Sequence, residues 1–138
     1  MIALPSTTVE IEVPFHDVDT MNVVWHGHYY KYFEIARTAL LRSIHYDVPD
    51  MMESGYAWPV IESNCRYIAP LRYGMKAKVI ATVKEYEHRL KILYSIVDPT
   101  TNCRLAKGFT SQVAISIETQ EMCLVSPPVL FQKLGGLD

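Results

Sequence analysis

One segment of this chain has the pattern of a long helix, and almost everything else reads as strand. Within residues 29–45, Tyr29, Tyr32, Phe33, Ala36, Ala39, Leu40 and Ile44 recur at steps of three and four. Lys31, Glu34, Arg37, Thr38 and Arg42 take most of the remaining positions, while Tyr30, Ile35 and Leu41 lie off the main stripe. A helix apolar around so much of its girth implies that something wraps it. Asp47 and Pro49 are positioned to close it.

The flanking segments follow period two. Val9, Ile11 and Val13 alternate with Thr8, Glu10 and Glu12, which describes a strand with one buried face, ended by Pro14. Strand patterns follow at 57–67, 76–86, 90–97 and 103–117, with turn residues at Glu87-His88, at 98–102 and at 119–121. Turns this short imply antiparallel pairing. The expected fold is therefore α+β: one curved antiparallel sheet wrapped around a long central helix. Its open edges would pair with a second copy to give a homodimer or homotetramer.

The chain has 138 residues, which suits a single domain over 1–138. Thirteen basic residues against 15 acidic leave no excess charge for a phosphate backbone, so nucleic acid is not an expected partner. No apolar run approaches the ~20 residues of a membrane helix, and the start of the chain lacks a signal-peptide pattern. The three cysteines, Cys65, Cys103 and Cys123, are odd in number and form no Cys-x-x-Cys pair. They suggest neither a disulfide framework nor a metal site, and they suit a reduced, cytoplasmic protein.

The stretch Asp17-Val-Asp19, then Val23-Val24-Trp25-His26 and Tyr29, then Tyr32-Phe33-Glu34 and Ala36-Arg37, carries more specific information. It resembles the signature of the hotdog-fold acyl-CoA thioesterases of the 4-hydroxybenzoyl-CoA thioesterase type, including small bacterial relatives. Tyr67-Ile-Ala-Pro70 and Leu71-Arg-Tyr-Gly74 resemble that family's link between strands. Two departures stand out. Thr20-Met21-Asn22 replaces a loop of small residues, and His28 stands where the family usually has Asn.

The resemblance implies hydrolysis of a thioester in an acyl-CoA or acyl-carrier-protein substrate. That reaction needs a group that attacks the carbonyl carbon or activates water, and donors for the developing oxyanion. A carboxylate suits the first task, and free N–H groups at a helix start suit the second. By resemblance Asp19 takes the catalytic carboxylate position, and the backbone N–H of His26 polarises the carbonyl. Asp17 is the nearest rival and is read as a loop organiser. Glu34 is a second rival, read as an ion pair with Arg37 three residues on.

Val24, Trp25, Tyr29 and Trp58 are the candidate side chains for the acyl group. Trp25 and Trp58 fit either a pocket wall or the core, and Tyr29 and Tyr67 fit the core as well. Arg89 and Lys91 flank a turn and are candidates for the phosphates of coenzyme A. The reaction calls for no cofactor or metal; coenzyme A enters as part of the substrate. Two other readings share these residues. One is a hotdog dehydratase or hydratase with an Asp–His pair, and the other is a non-catalytic acyl-CoA sensor.

Overall fold

The computed structural model of the protein describes residues 4–135, so the expectations for 1–3 and 136–138 fall outside it. Strand β1 (Ser6–Glu12) is followed by a single 3-10 turn at Phe15–Asp17 and by helix α1 (His28–Ser43). Helix α2 (Val48–Ser54) leads into β2 (Tyr56–Ala57) and β3 (Val60–Tyr67). Strands β4 (Lys76–Glu85), β5 (Leu90–Val97), β6 (Arg104–Gln112) and β7 (Ile115–Ser116) then precede helix α3 (Pro128–Lys133). The main sheet has the order β1-β4-β5-β6-β3, antiparallel throughout, and β2 and β7 form a separate two-stranded ribbon.

This arrangement is α+β and hotdog-like, but it corrects the expected curved sheet wrapped around a long central helix. The sheet is open, with β1 and β3 as its two edges, and it does not close around anything. The helical residues are divided among three helices, of which α1 has 16 residues, roughly 24 Å. Helix α1 lies on one face of the sheet, mainly against β1 and β4, and buries one side only. Tyr29, Tyr32, Phe33, Ala36, Leu40 and Leu41 are covered, whereas Ile35 remains 45% exposed. The wrapped reading gave weight to apolar residues off the stripe. Single exposed apolar side chains are common on folded proteins and do not imply a covering layer.

Packing between α1 and the sheet depends on side-chain size. In β4, Ala77, Val79, Ala81 and Val83 all face inward and are buried, and the two alanines leave room for the helix. Phe33 stacks on Tyr94 with ring centroids 4.5 Å apart. Gly108 permits this approach. A Cβ there would lie 2.7 Å from the Phe33 ring and 2.2 Å from the Asn64 carbonyl oxygen.

Asp47 and Pro49 do not merely end α1. Asp47 caps α2 through a capping box with Asp50, and a proline occupies its first turn. The single strand expected over 57–67 is split near Pro59 into β2 and β3, and that over 103–117 into β6 and β7. No helix among the described residues is long and apolar enough to cross a membrane.

Candidate active site

The loop between β1 and α1 folds back on itself. Trp25 N–H donates to the Asp17 carbonyl at 3.1 Å, and Val24 N–H donates to the Leu71 carbonyl at 2.8 Å. The two aspartates of this loop end in different surroundings. Asp17 is buried, 1% exposed. Its carboxylate accepts from Lys31 Nζ at 2.5 Å and from the Tyr32 hydroxyl at 2.6 Å. His28 Nε2 lies 3.9 Å away and His16 Nε2 3.6 Å. Burial pushes the Asp17 carboxyl up, but the bonds from Lys31 and Tyr32 and the nearby Lys31 and His28 charges outweigh it. The net result lies below the ordinary carboxylate range. Burial and the Asp17 carboxylate push the Tyr32 hydroxyl far upward, so it remains a donor. Asp17 thus ties the loop to α1.

Asp19 is exposed. Its Oδ1 accepts from Met21 N–H at 2.8 Å and Val23 N–H at 3.5 Å, while Asn22 adopts a φ of 60°. Asparagine tolerates this left-handed conformation, so the loop turns without a glycine. Among the described residues Oδ2 has no partner. Asp19 lines a pocket of about 370 Å³ with Val23, Val24, Trp25, His26 and Tyr29 on one side and Tyr67 to Pro70 on the other.

Helix α1 starts at this pocket. Its N-cap is Gly27, which makes no side-chain cap, and the N–H groups of His26 and Gly27 donate to nothing among the described residues. A Cβ at Gly27 would lie 2.2 Å from the Trp25 ring, so that half-exposed ring would have to shift. Trp25 stays half exposed, with its ring 5.1 Å from His26 and 5.3 Å from His28. The Tyr67 hydroxyl donates to the His26 carbonyl at 2.9 Å, and the Tyr67 ring packs edge-on against Tyr29 at 4.8 Å. Burial, with the Cys65 thiol, pushes the Tyr67 hydroxyl up to about 12, so it stays protonated as a donor.

The structure therefore brings Asp19, Val24, Trp25, His26 and Tyr29 to one pocket. Three other candidates lie elsewhere. Trp58 is buried, donates to the Tyr46 hydroxyl at 3.1 Å and lines a second cavity beneath α2. Arg89 pairs with Glu85 at 2.8 Å and lies 3.9 Å from Glu62. Lys91 sits over the Phe109 ring at 4.4 Å. Glu34 meets Arg37 at 3.2 Å, as the three-residue spacing suggests. Tyr67 was read as core, yet it is 44% exposed and borders the pocket. The signal for it was its place at the head of the Tyr67-Ile-Ala-Pro70 segment.

The thioesterase-like superfamily pattern matches residues 13–132. The chain belongs to the thioesterase-like superfamily. YneP of Bacillus subtilis, provisionally named an acyl-CoA thioesterase, is 30% identical over 90% of this chain and 86% of its own length. The DHNA-CoA thioesterase of Staphylococcus aureus is 28% identical, with a TM-score of 0.77 over 86% of this chain and 80% of that one. The Synechocystis thioesterase Slr0204 has a TM-score of 0.84 over 97% of this chain and 98% of its own. At 23% identity that last likeness concerns the fold alone.

Proposed function

We propose that Asp19 and the backbone N–H groups of His26 and Gly27 perform the reaction of this chain, hydrolysis of an acyl-CoA thioester to a carboxylic acid and a free thiol. The observation that carries this is the pocket that Asp19 shares with His26: a carboxylate with one free oxygen and the residue just before the uncapped start of α1 line the same cavity. Met21 and Val23 N–H groups hold Oδ1 and leave Oδ2 without a partner among the described residues. As a general base, Oδ2 takes a proton from water, whose oxygen attacks the carbonyl carbon. The oxyanion forms against the helix-start N–H groups, the C–S bond breaks, and the thiolate takes the proton. As a nucleophile, Oδ2 attacks the carbonyl carbon and the C–S bond breaks to release the thiolate; water then hydrolyses the mixed anhydride, returning the Asp19 carboxylate and giving the acid and the proton the thiolate takes. Both routes use the same atoms. The Tyr67 bond to the His26 carbonyl polarises the peptide that carries the Gly27 N–H, making it a better donor.

The working unit is at least a homodimer paired through β3. This edge strand is exposed along nearly its whole length and carries Val60, Ile61 and Tyr67 on its surface. The 138 residues act as one domain, with Arg89 and Lys91 offering positive charge to the nucleotide end of coenzyme A. Cys65, Cys103 and Cys123 are free thiols, which suits a reducing cytoplasm.

The test is release of free thiol from a panel of aromatic and aliphatic acyl-CoA substrates, run beside Asp19→Asn. Turnover on at least one substrate is expected, with most of it lost in the variant. Undiminished turnover in a folded Asp19→Asn protein would remove Asp19 from the chemistry and turn attention to Glu34.

A further inference from the structure

The face of the main sheet turned away from α1 balances its charge unevenly. Tyr94 and Gly108 meet Phe33 on the inner face, so Leu93, Ser95, Lys107 and Phe109, which alternate with them, point outward. Between β1 and β4, opposite charges stand directly across from one another, Glu10 against Lys78 and Glu12 against Lys76. Between β3 and β6 the charges are alike: Arg66 stands directly across from Lys107. Like charges in that position destabilise a sheet. Arg66, Arg104 and Lys107 are all exposed, and none has an ion-pair partner among the described residues. Glu62, on the same face of β3, lies instead 3.9 Å from Arg89.

These cations border a shallow groove of about 350 Å³. Leu93 and Phe109 are its apolar part, and Asn64, Ser95, Arg104 and Lys107 its polar part. Several classes of occupant fit poorly. Strands β5 and β6 are each paired on both sides, so an extended chain has no edge to join here. Lys91 already covers one face of the Phe109 ring at 4.4 Å, which closes that face to a nucleobase. Leu93 is the most exposed apolar side chain of β5 and β6, at 38%, and offers a bilayer little to bury. A second copy seated face to face would bring the same three cations against their own counterparts, because an isologous contact joins a patch to itself.

We propose that this outer groove docks an acidic amphipathic helix of another protein. The apolar stripe of such a helix covers Leu93 and Phe109, and carboxylates beside the stripe pair with Arg66, Arg104 and Lys107. The carboxylates also relieve the like-charge contact between Arg66 and Lys107. The groove shares no residue with the Asp19 pocket, so docking leaves the pocket free.

The test measures, by fluorescence anisotropy, binding of a labelled helical peptide of about 18 residues, with Leu at steps of three and four and Glu on both flanks. A rearranged peptide of the same composition, without an apolar stripe, is the control. The wild-type protein is expected to bind the striped peptide about tenfold more tightly than the control. Arg104→Glu combined with Lys107→Glu should weaken binding of the striped peptide about tenfold. The urea midpoint of this variant should not fall, because Lys107→Glu sets a carboxylate opposite Arg66. Equal binding of the two peptides overturns the proposal, as does unchanged affinity in the folded variant. A striped peptide with Lys in place of Glu needs no variant; if it binds the wild type as tightly as the Glu peptide, the proposal fails. Competition between the Glu peptide and acyl-CoA would place the peptide in the Asp19 pocket and overturn it too. Phosphatidylglycerol vesicles that bind the wild type and not the variant, with no preference between the peptides, would replace the helix with a lipid surface. A lower oligomer mass in the variant by light scattering would replace it with a second copy of this chain.

Discussion

Asp17 and Asp19 are two residues apart in one loop, yet they have opposite relations to solvent and to their neighbours. Asp17 is buried and its carboxylate is occupied by Lys31 and Tyr32. Asp19 is exposed, with one oxygen held by backbone N–H groups and the other free. A carboxylate whose lone pairs are already taken holds structure together but has little left for a substrate. One that is fixed at a single oxygen is oriented and still reactive. The loop separates these roles by inserting the bridge between Val18 and Val24, which turns one aspartate toward α1 and leaves the other at the pocket mouth.

The strongest way to break this contrast is to neutralise each carboxylate in turn. Asp19→Asn should lower kcat for acyl-CoA hydrolysis by about a hundredfold or more, the scale of lost acid–base or nucleophilic assistance, and leave urea unfolding almost unchanged. A variant that loses stability and keeps activity would reverse the two assignments. Asp17→Ala should do the opposite in kind. It strands the buried Tyr32 hydroxyl and an adjacent Lys31 charge, at a cost of about 2 kcal/mol in urea unfolding. Lys31 can still reach water, which keeps the cost below that of a fully buried pair.

The pH dependence follows with a definite sign. The folded Asp17 carboxyl lies below its ordinary value of 3.8. Its stabilising contribution is therefore complete above that value and is lost as pH falls through the depressed one. Asp17→Asn should flatten part of this acid limb. Asp47, held down by its bond from Arg42, and Glu85, held down by Arg89, should maintain the remainder. An acid limb identical in the wild type and Asp17→Asn would show that the Asp17 pairing is equally present in the unfolded chain.

How much of this could be read in the sequence follows the range of the interactions involved. The strands and α1 were legible because period two and the three-to-four step are local properties, and the inward face of β4 follows directly from them. The open sheet was not, and the expected wrapping of α1 does not occur, because whether a sheet closes depends on pairing between strands far apart in sequence. Helix α2 was hidden because Asp47 and Pro49 serve equally as the end of one helix and the start of the next. The Asp19 loop was legible through its motif, but the burial of Asp17 depends on Lys31 and Tyr32, 14 and 15 residues further on in α1. Trp58 and Gln112 meet only through a bond spanning 54 residues, which no local pattern encodes.

A smaller effect sharpens the contrast on the donor side of the pocket. Tyr67→Phe removes the hydroxyl that donates to the His26 carbonyl and keeps the ring against Tyr29. A donor that strengthens the Gly27 N–H acts on the oxyanion more than on the bound ester, so kcat should fall about fivefold with KM little changed. A rise in KM with unchanged kcat would mean that Tyr67 serves only as a wall of the pocket.

The smallest expected effect concerns Arg89 and Lys91, which lie on and just after the turn from β4 to β5. Leu90 pairs with Gln112, and Gln112 pairs with Val60, so these cations belong to the cavity end of the sheet. In an antiparallel β3-paired dimer that end lies on the side of the partner's Asp19 pocket, where the nucleotide end of coenzyme A, a pantetheine arm away from the thioester, can meet positive charge. Arg89 already pairs with Glu85 and lies near Glu62, so only part of its charge is available to a phosphate. Replacing both cations with Ala should therefore raise KM for acyl-CoA by only about threefold and leave kcat unchanged, as expected for a group bound equally in ground and transition states. The effect should shrink as salt rises, because exposed charges are screened within about 10 Å at 0.1 M. An acyl-pantetheine substrate, which lacks the nucleotide phosphates, should show no difference between the two proteins. An equal rise in KM for acyl-pantetheine would place the loss in the sheet rather than in phosphate contact. An unchanged KM for acyl-CoA would reduce these residues to a solvated turn and favour a carrier-protein thioester as the substrate.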